Sequence, residues 1–168
     1  MAAFTNISGP IVANTLYVDG ELVARDIAAT LPEVTYLTAT ISARGNWDVP
    51  LQGLFENLEL AITKIGMDLG VGKMFTPGSR RIELRNVQTV QNVDGSSKNQ
   101  SIKVFATGYA TKLPGSGITV GEAMENEMTF SLKRYQIFVD GVEMVCIDRT
   151  GACRINGQDI TSGVESLL

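Results

Sequence analysis

The residue types that most often carry catalysis are scarce in this sequence. It contains no histidine, which excludes a histidine general base, a Ser-His-Asp triad and histidine-ligated zinc. Its two cysteines, Cys146 and Cys153, are too few to form a zinc site unaided. They flank a predicted turn at Thr150-Gly151, so we expect them near each other across a hairpin, as reduced strand residues.

Two other groups of residues invite a chemical interpretation that their spacing does not support. The stretch GMDLGVGKM resembles a phosphate-binding loop, but five residues rather than four separate Gly66 from Gly72, and Met74 stands where Ser or Thr would bind magnesium. Asp140 and Asp148 could pair as two carboxylates, but each adjoins a predicted turn. Asp is common in turns because its side chain forms hydrogen bonds with nearby backbone groups.

A small basic cluster is the remaining candidate for ligand binding. Arg80, Arg81 and Arg85 could contact phosphates, but Glu83 lies among them, and we favour a solvated strand face. No set of residues supports a named reaction. We therefore expect no enzyme activity, no cofactor and no metal.

Composition favours a globular protein of modest charge. The chain has 168 residues, of which 44% are hydrophobic and 19% charged, with a net charge of −4. We expect one domain over residues 1–168, with a real core and no basic field that would attract nucleic acid.

The N-terminus has neither the basic segment nor the apolar segment of a signal peptide, and no apolar run approaches the ~20 residues of a membrane helix, so we expect folding in a cytoplasm.

Three segments alternate between apolar and polar residues with the period of a β-strand. They are SRRIELRNVQTV, SIKVFATGYATK and NEMTFSLKRYQIFV. This pattern predicts long strands with one buried face and one wet face. The link NVDGSSKNQ predicts a hairpin between the first two strands, and the Gly-rich LPGSGITVGEAME predicts a surface loop before the third.

The remaining segments add shorter elements. LPEVTYLTATIS predicts a fourth amphipathic strand, GLFENLELAITKIG fits helix and strand spacing equally well, and MDLGVGKMF could form one short helix. Asp-Gly and Asn-Gly pairs at Asp19, Asp94, Asp140 and Asn156 predict two-residue hairpin turns, because both central positions of such turns need positive φ.

We predict a mainly β fold of two packed antiparallel sheets, a sandwich or partial barrel, with one short helix. Long strands in so small a domain would leave sheet edges open. Joining those edges to copies of the same chain would close a large barrel around a water-filled channel. A monomeric two-sheet sandwich with one wet face would satisfy the same pattern.

If such a channel forms, the polar alternate positions of the three long strands should line it. These candidate lumen-facing residues are Arg81, Glu83, Arg85, Lys103, Thr107, Glu127, Thr129, Ser131 and Lys133. The set mixes cations with acids. Because phosphate-binding cations would slow the passage of DNA, either the channel is mixed in charge or one face is assigned wrongly.

The order of these segments resembles the FII family of phage major tail tube proteins, from contractile tails and R-type bacteriocins. LYVDGELVARDIAATLPEVTYLTATISARG is similar to the family's opening hairpin, Leu-Pro motif and strand, and LELAITKIG to its central strand, which favours the strand interpretation there. RIELRNVQTVQNVDGSSKNQSIKVFATGYATKLPGS is similar to its long hairpin. The strongest match is the ending, MTFSLKRYQIFVDGVEMVCIDRTGACRINGQDI. The two cysteines and the RTGA turn lie where we have no family pattern to compare.

The resemblance implies a structural role in a particle. Six copies would form a ring, rings would stack into a tube with a shared inner β-barrel, and a contractile sheath would surround it. The lumen would hold a tape-measure protein and pass DNA in a phage, and a baseplate hub would close one end. Sheath contraction would drive the tube through a target envelope. The alternative from a different class is a monomeric β-sandwich or barrel that binds a small ligand in an enclosed apolar pocket.

Overall fold

The computed structural model describes residues 6–168, and most of the predicted strands are present in it. The twelve strands are β1 Asn6–Val18, β2 Glu21–Arg25, β3 Ala28–Thr30, β4 Tyr36–Ser42, β5 Asn46–Phe55, β6 Glu59–Ile65, β7 Ser79–Asn92, β8 Ser97–Lys112, β9 Glu125–Val139, β10 Val142–Asp148, β11 Arg154–Ile155 and β12 Gln158–Asp159. Two helices, α1 Leu69–Phe75 and α2 Ser162–Glu165, complete the described elements.

Ten of the strands form one antiparallel sheet. Its main path runs β12-β11-β10-β9-β8-β7-β1-β2, and β6 and β3 branch from it. The three predicted long strands are neighbours at its centre, because β7 pairs with β8 and β8 with β9. At 16 residues, β8 spans about 50 Å.

The sheet curls back on itself through β9. The first half of β9 pairs with β6 and the second half with β10, while the far edge of β6 pairs with β3. β2 ends the main path of the sheet, and β3, which pairs with β6, follows it closely in the chain. The strands therefore nearly enclose a core, but they do not close a barrel. This confirms the predicted mainly β fold with two antiparallel sheets, the second of which is the pair β4–β5.

Apolar side chains from the facing sides of the curled sheet fill the interior. The largest fully buried ones are Leu16, Leu58, Leu60, Ile62, Met74, Ile82, Leu84, Met128, Phe130, Tyr135 and Ile147. Each such side chain contributes about 1.5–3 kcal/mol relative to an exposed one. Helix α1 adds Val71 and Met74 to this core, and Asp68 caps its N-terminus by accepting a hydrogen bond from the Val71 amide at 3.1 Å.

The ambiguous segment at 53–66 forms the end of β5, a short connection and β6, so LELAITKIG contains a strand, as the resemblance favoured. Leu60 and Ile62 are buried and alternate with partly exposed neighbours, because one side of β6 packs into the core and the other side does not. The helix predicted in MDLGVGKMF is present as α1, so the GMDLGVGKM stretch is a helical connection. A second short helix, α2 at Ser162–Glu165, follows the last strand and was not predicted.

Three of the four predicted two-residue turns have the expected backbone. Both central residues have positive φ at Asp19-Gly20, Asp140-Gly141 and Asn156-Gly157. The fourth prediction was wrong: between β7 and β8 the connection has four residues, and of its Asp94-Gly95 pair only Gly95 has positive φ. Ser96 explains the difference, since its amide and hydroxyl both donate to the Asp94 carboxylate and hold a longer turn.

The segment LPEVTYLTATIS contains the predicted strand, but that strand lies outside the main sheet. It is β4, and its only pairing within residues 6–168 is with β5. Many of its side chains are exposed. The predicted surface loop LPGSGITVGEAME lacks strand pairing until Glu125, as expected.

None of the described helices has the length and apolar character that crossing a membrane requires.

Candidate functional site

The nine candidate residues lie on one side of the long strands, opposite the core. Register places Arg81 across from Thr107, Arg85 across from Lys103, and Ser131 across from Tyr109. Alternation along β7 and β9 adds the remaining residues, Glu83, Glu127, Thr129 and Lys133. We call this solvent side of β7, β8 and β9 the polar face.

A bulge keeps the polar face continuous along β9. Between Leu132 and Arg134 the pairing with β8 shifts by one residue, and Lys133 is left without a direct partner there. Without the shift, Tyr135 would turn from the core to the solvent, because one residue of slip reverses every side chain. Beyond the bulge, the polar face continues through Arg134, Gln136 and Phe138.

Short ion pairs neutralise part of the charge on this face. Arg85 donates to Glu83 at 2.6 Å, and Lys112 lies 3.4 Å from Glu127. The hydrogen bond to Glu83 raises the pKa of the Arg85 guanidinium above its ordinary value. Within residues 6–168, the cations Arg81, Lys103 and Lys133 have no carboxylate within ion-pair distance, so the face carries mixed charge with a cationic excess.

Aromatic side chains interrupt the polar pattern. The ring of Phe105 meets that of Phe138 edge to face, with centroids 5.5 Å apart. The Arg85 guanidinium lies 4.3 Å from the centroid of the Tyr17 ring, at cation–π distance. Alternation alone places Phe105 on this side, between Lys103 and Thr107. Phe138 and Tyr17 join it only through the bulge in β9 and the pairing of β1 with β7.

A groove of about 450 Å³ crosses the polar face beside Arg81, Thr107 and Arg134. Its lining includes Asp19, Arg81, Glu83, Phe105 and Arg134. The Arg81 amide donates to the Asp19 carboxylate at 3.1 Å, and Arg80 forms an ion pair with it at the same distance. Chiefly because of the bond from the Arg81 amide, the pKa of Asp19 is lowered from its ordinary 3.8. The groove is therefore lined by structured charges of both signs.

The two cysteines are buried and free, with the thiols on opposite sides of the sheet. Cys153 packs in the core, whereas Cys146 lies across from Gln136 on the solvent side and accepts a hydrogen bond from that amide at 3.5 Å. Cys146 lies in β10, as expected, but the expectation that Cys153 is a strand residue was wrong, because it lies in the connection before β11. Burial raises the pKa of the Cys153 thiol, so less of the reactive thiolate forms.

Asp140 and Asp148 both act in turns, as predicted. Asp140 accepts a hydrogen bond from the Ser101 amide at 3.0 Å, and Asp148 accepts one from the Thr150 amide at 2.9 Å. That second bond is the main reason why the pKa of Asp148 is lowered. In the part of the chain that the structure describes, no three His, Cys, Asp or Glu side chains are grouped as metal ligands.

Together, the fold and this face define a mainly β protein with a long, mixed-charge sheet surface exposed to solvent. A family model described as phage tail tube protein FII matches residues 10–168. The chain belongs to this family, and it is a structural subunit of a tail tube. Proteins of this family are structural tube proteins.

Solved structures share the fold at low sequence identity. One is a chain of the sheath-tube complex of an extracellular contractile injection system, PVC, in its extended state. It aligns with a TM-score of 0.52 and 13% identity over 77% of this chain and 90% of that chain. A chain of the sheath/tube terminator of the same system, also in the extended state, aligns with a TM-score of 0.50 and 12% identity, covering 77% and 95%. A search of curated proteins found no match.

Proposed function

We propose that six copies of this chain form a ring and that the rings stack into a hollow tube with a shared inner β-barrel. The family match over residues 10–168 carries this proposal. The architecture supports it, because a single subunit leaves the solvent side of β7, β8 and β9 uncovered, and within residues 6–168 the outer edge of β1 before Thr15 has no strand partner.

In this assembly the polar face lines the lumen. Its side chains are polar or charged over most of β7, β8 and β9, and a water-filled channel accommodates such a surface without desolvation cost. The opposite side is committed to the subunit core. The proposed lumenal residues are Arg81, Glu83, Arg85, Lys103, Thr107, Glu127, Thr129, Ser131 and Lys133.

We propose the remaining partners by analogy with the family, and the sheath-tube complexes to which the structural neighbours belong support the sheath among them. A contractile sheath surrounds the tube, a tape-measure protein occupies the lumen during assembly, and DNA passes through it in a phage particle. A baseplate hub closes one end, and sheath contraction drives the tube through a target envelope. Subunits are made and assembled in the bacterial cytoplasm. The whole chain, residues 1–168, acts as one domain in this proposal.

Cysteine labelling tests the lumenal placement with little background, because the two native thiols are buried. In Thr107→Cys or Ser131→Cys tubes, N-ethylmaleimide should label the new thiol, whereas a polymer-linked maleimide too large for the lumen should label only subunits at tube ends. The same variants before assembly should react with both reagents and serve as the control. Equal labelling of intact tubes by both reagents would place these residues on the outside.

Negative-stain electron microscopy of concentrated protein tests the assembly itself. Rings or tubes are expected. The competing monomeric binding module would stay monomeric and bind a small molecule. It needs an enclosed apolar pocket, whereas the groove on the polar face is lined largely by charged and polar residues and opens to solvent.

A further inference from the structure

The turn between β11 and β12 carries the one Asn-Gly pair of the sequence, Asn156-Gly157. Every other asparagine of the chain is followed by a residue with a side chain. Both residues of the pair are exposed, and both have positive φ, 50° for Asn156 and 79° for Gly157. Asparagine is among the chemically labile residues of proteins. A following glycine leaves the backbone nitrogen beside it unshielded, so this turn presents a reactive pair to solvent.

The side chain of Asn156 differs from those of the three Asp-Gly turns. Asp19, Asp94 and Asp140 each accept a hydrogen bond from a backbone amide, at 3.1, 2.8 and 3.0 Å. Those bonds hold the carboxylates in place, and an ionised carboxylate is a poor electrophile. Asn156 is held instead by its backbone, whose amide donates to the Met144 carbonyl at 2.7 Å. Its neutral carboxamide is the better electrophile of the four.

The reaction of this pair needs only water. The Gly157 backbone nitrogen attacks the side-chain carbonyl carbon of Asn156 and forms a C–N bond. The proton of that nitrogen passes through solvent to the departing amide, which leaves as ammonia. Water then opens the cyclic imide at either carbonyl, which yields aspartate or isoaspartate at position 156. Isoaspartate carries an additional methylene in the main chain.

The hairpin that holds this turn is short enough to open. β11 and β12 have two residues each, and two residue pairs join them. Short, exposed strands open more readily than the long central strands of a sheet. Opening frees the torsion angles of Asn156, so that its side chain can reach the Gly157 nitrogen.

The register of this hairpin also holds the segment that follows, residues 158–168. The Asp159 carboxylate accepts hydrogen bonds from the Thr161 amide and hydroxyl, both at 2.9 Å, and from the Ser162 amide at 3.1 Å. The Thr161 hydroxyl accepts from the Cys153 amide at 3.3 Å, and the Ile160 amide donates to the Cys153 carbonyl at 2.9 Å. Cys153, which is 3% exposed, is thus tied to this segment by two hydrogen bonds.

We propose that Asn156-Gly157 is a site of spontaneous modification, at which isoaspartate formation detaches residues 158–168 from the core and uncovers the Cys153 thiol. An added methylene in a two-residue turn displaces β12 relative to β11, because the length of the turn fixes the register of a hairpin. Asp159 then loses its bonds to the residues after it, and the two hydrogen bonds to Cys153 are lost with them. This modification belongs to the folded subunit in dilute solution and does not depend on the proposed function.

Ageing of dilute wild-type protein tests the modification directly. The protein is incubated at mildly alkaline pH, which favours the deprotonated Gly157 nitrogen, and its tryptic peptides are followed by mass spectrometry. Asn156 should be converted mainly to isoaspartate while the other asparagines remain intact. Asn156 that stays intact in the folded protein, but is converted in the urea-unfolded chain, would overturn the proposal.

The converted protein gains a negative charge, so anion exchange separates it for measurement of thiol reactivity. Labelling of Cys153 by N-ethylmaleimide should be at least about tenfold faster in this fraction than in fresh protein, because losing a cap and two hydrogen bonds lowers the cost of local opening. A converted fraction in which Cys153 is labelled at the original rate would contradict the detachment of residues 158–168.

Matched variants separate the lengthened backbone from the added charge. Asn156→Gly removes the side-chain amide but keeps a pair suited to this turn, so Cys153 should stay protected through the same ageing. Asn156→Asp adds the charge without lengthening the main chain, so fresh protein should protect Cys153 as the wild type does. Faster labelling in aged Asn156→Gly, or in fresh Asn156→Asp, would show that isoaspartate is not the cause. Circular dichroism checks that both variants are folded before ageing.

Discussion

At the scale of single residues, buried polar groups fix the ends of several elements. Asn126 is fully buried, accepts a hydrogen bond from the Ser116 hydroxyl at 2.5 Å and donates to the Gly66 carbonyl at 2.8 Å. It thus joins the surface loop after β8 to the turn after β6. Asn126 is the polar residue on the side of β9 that carries Met128 and Phe130, but its hydrogen-bond partners are distant in the chain, so the sequence did not identify its role.

Lys64 is the second buried polar residue of this kind. Its ammonium group lies 2.5 Å from an Asp68 carboxylate oxygen. Asp68 also caps α1, and the bond from Lys64 is the main reason why the pKa of Asp68 is lowered. The pair connects β6 to the helix that covers one end of the core.

Tyr135 predicts a pH dependence of stability on the alkaline side. Burial raises the pKa of its phenol from 10.0 to about 12. The native state therefore holds the proton more tightly than the unfolded chain, so this contribution is complete below pH 10 and is lost as pH rises through about 12. Tyr135→Phe should flatten the fall in unfolding free energy over this range by on the order of 1–2 kcal/mol.

Urea unfolding across the alkaline range measures this effect. Tyr109→Phe, which changes a phenol that is more than half exposed, is the control and should keep the wild-type slope. An unchanged slope in Tyr135→Phe would show that its phenol titrates alike in the native and unfolded states.

At the scale of elements, the bulge between β8 and β9 requires a glycine. A Cβ at Gly108 would lie 2.2 Å from the Ser131 carbonyl oxygen and 2.9 Å from the Leu132 Cα, both backbone atoms. These distances are below any tolerable contact, so the two strands would have to separate.

Gly108→Ala should therefore destabilise the subunit by about 2 kcal/mol or more, as overpacking of a close backbone approach does. The matched control is Gly115→Ala in the surface loop, where a Cβ would meet no heavy atom within 4 Å. Its unfolding free energy should stay within about 0.5 kcal/mol of the wild type. Equal urea midpoints for the two variants would refute the close approach of β8 and β9.

At the scale of the whole molecule, charge is distributed unevenly. The chain has a net charge of −4. The nine proposed lumenal residues, in contrast, include four cations, Arg81, Arg85, Lys103 and Lys133, and two acids, Glu83 and Glu127. If six subunits line a channel with this face, the excess accumulates around the ring and raises the local concentration of polyanions.

Neutralising the cations without ion-pair partners should lower the salt-dependent retention of DNA by assembled tubes. The triple variant carries Arg81→Ser, Lys103→Ser and Lys133→Ser. In its tubes, the slope of log DNA retention against log salt concentration should fall by about one for each phosphate that the channel wall no longer binds. Lys98→Ser, near the β7–β8 turn, is the control. Unchanged retention in the triple variant would show that these side chains do not meet DNA.

The sequence by itself determined the local elements and the family. Period-two alternation identified β7, β8 and β9, and the Asp-Gly and Asn-Gly pairs identified three of four tight turns, because these signals depend on residues that are close in the chain. The order of the segments indicated the family resemblance, which the match over residues 10–168 confirmed.

Only the tertiary structure decided how these elements share surfaces. The division of β9 between β6 and β10, the separation of β4 and β5 from the main sheet, and the opposite directions of Cys146 and Cys153 all depend on long-range pairing. Such pairing is set by packing across the core and by bulges, as at Lys133, where one extra residue changes which side chains face solvent. An amphipathic strand shows that it has an apolar side. The chain itself covers that side in β9 but leaves it open in β4, and that difference was visible only once the fold was complete.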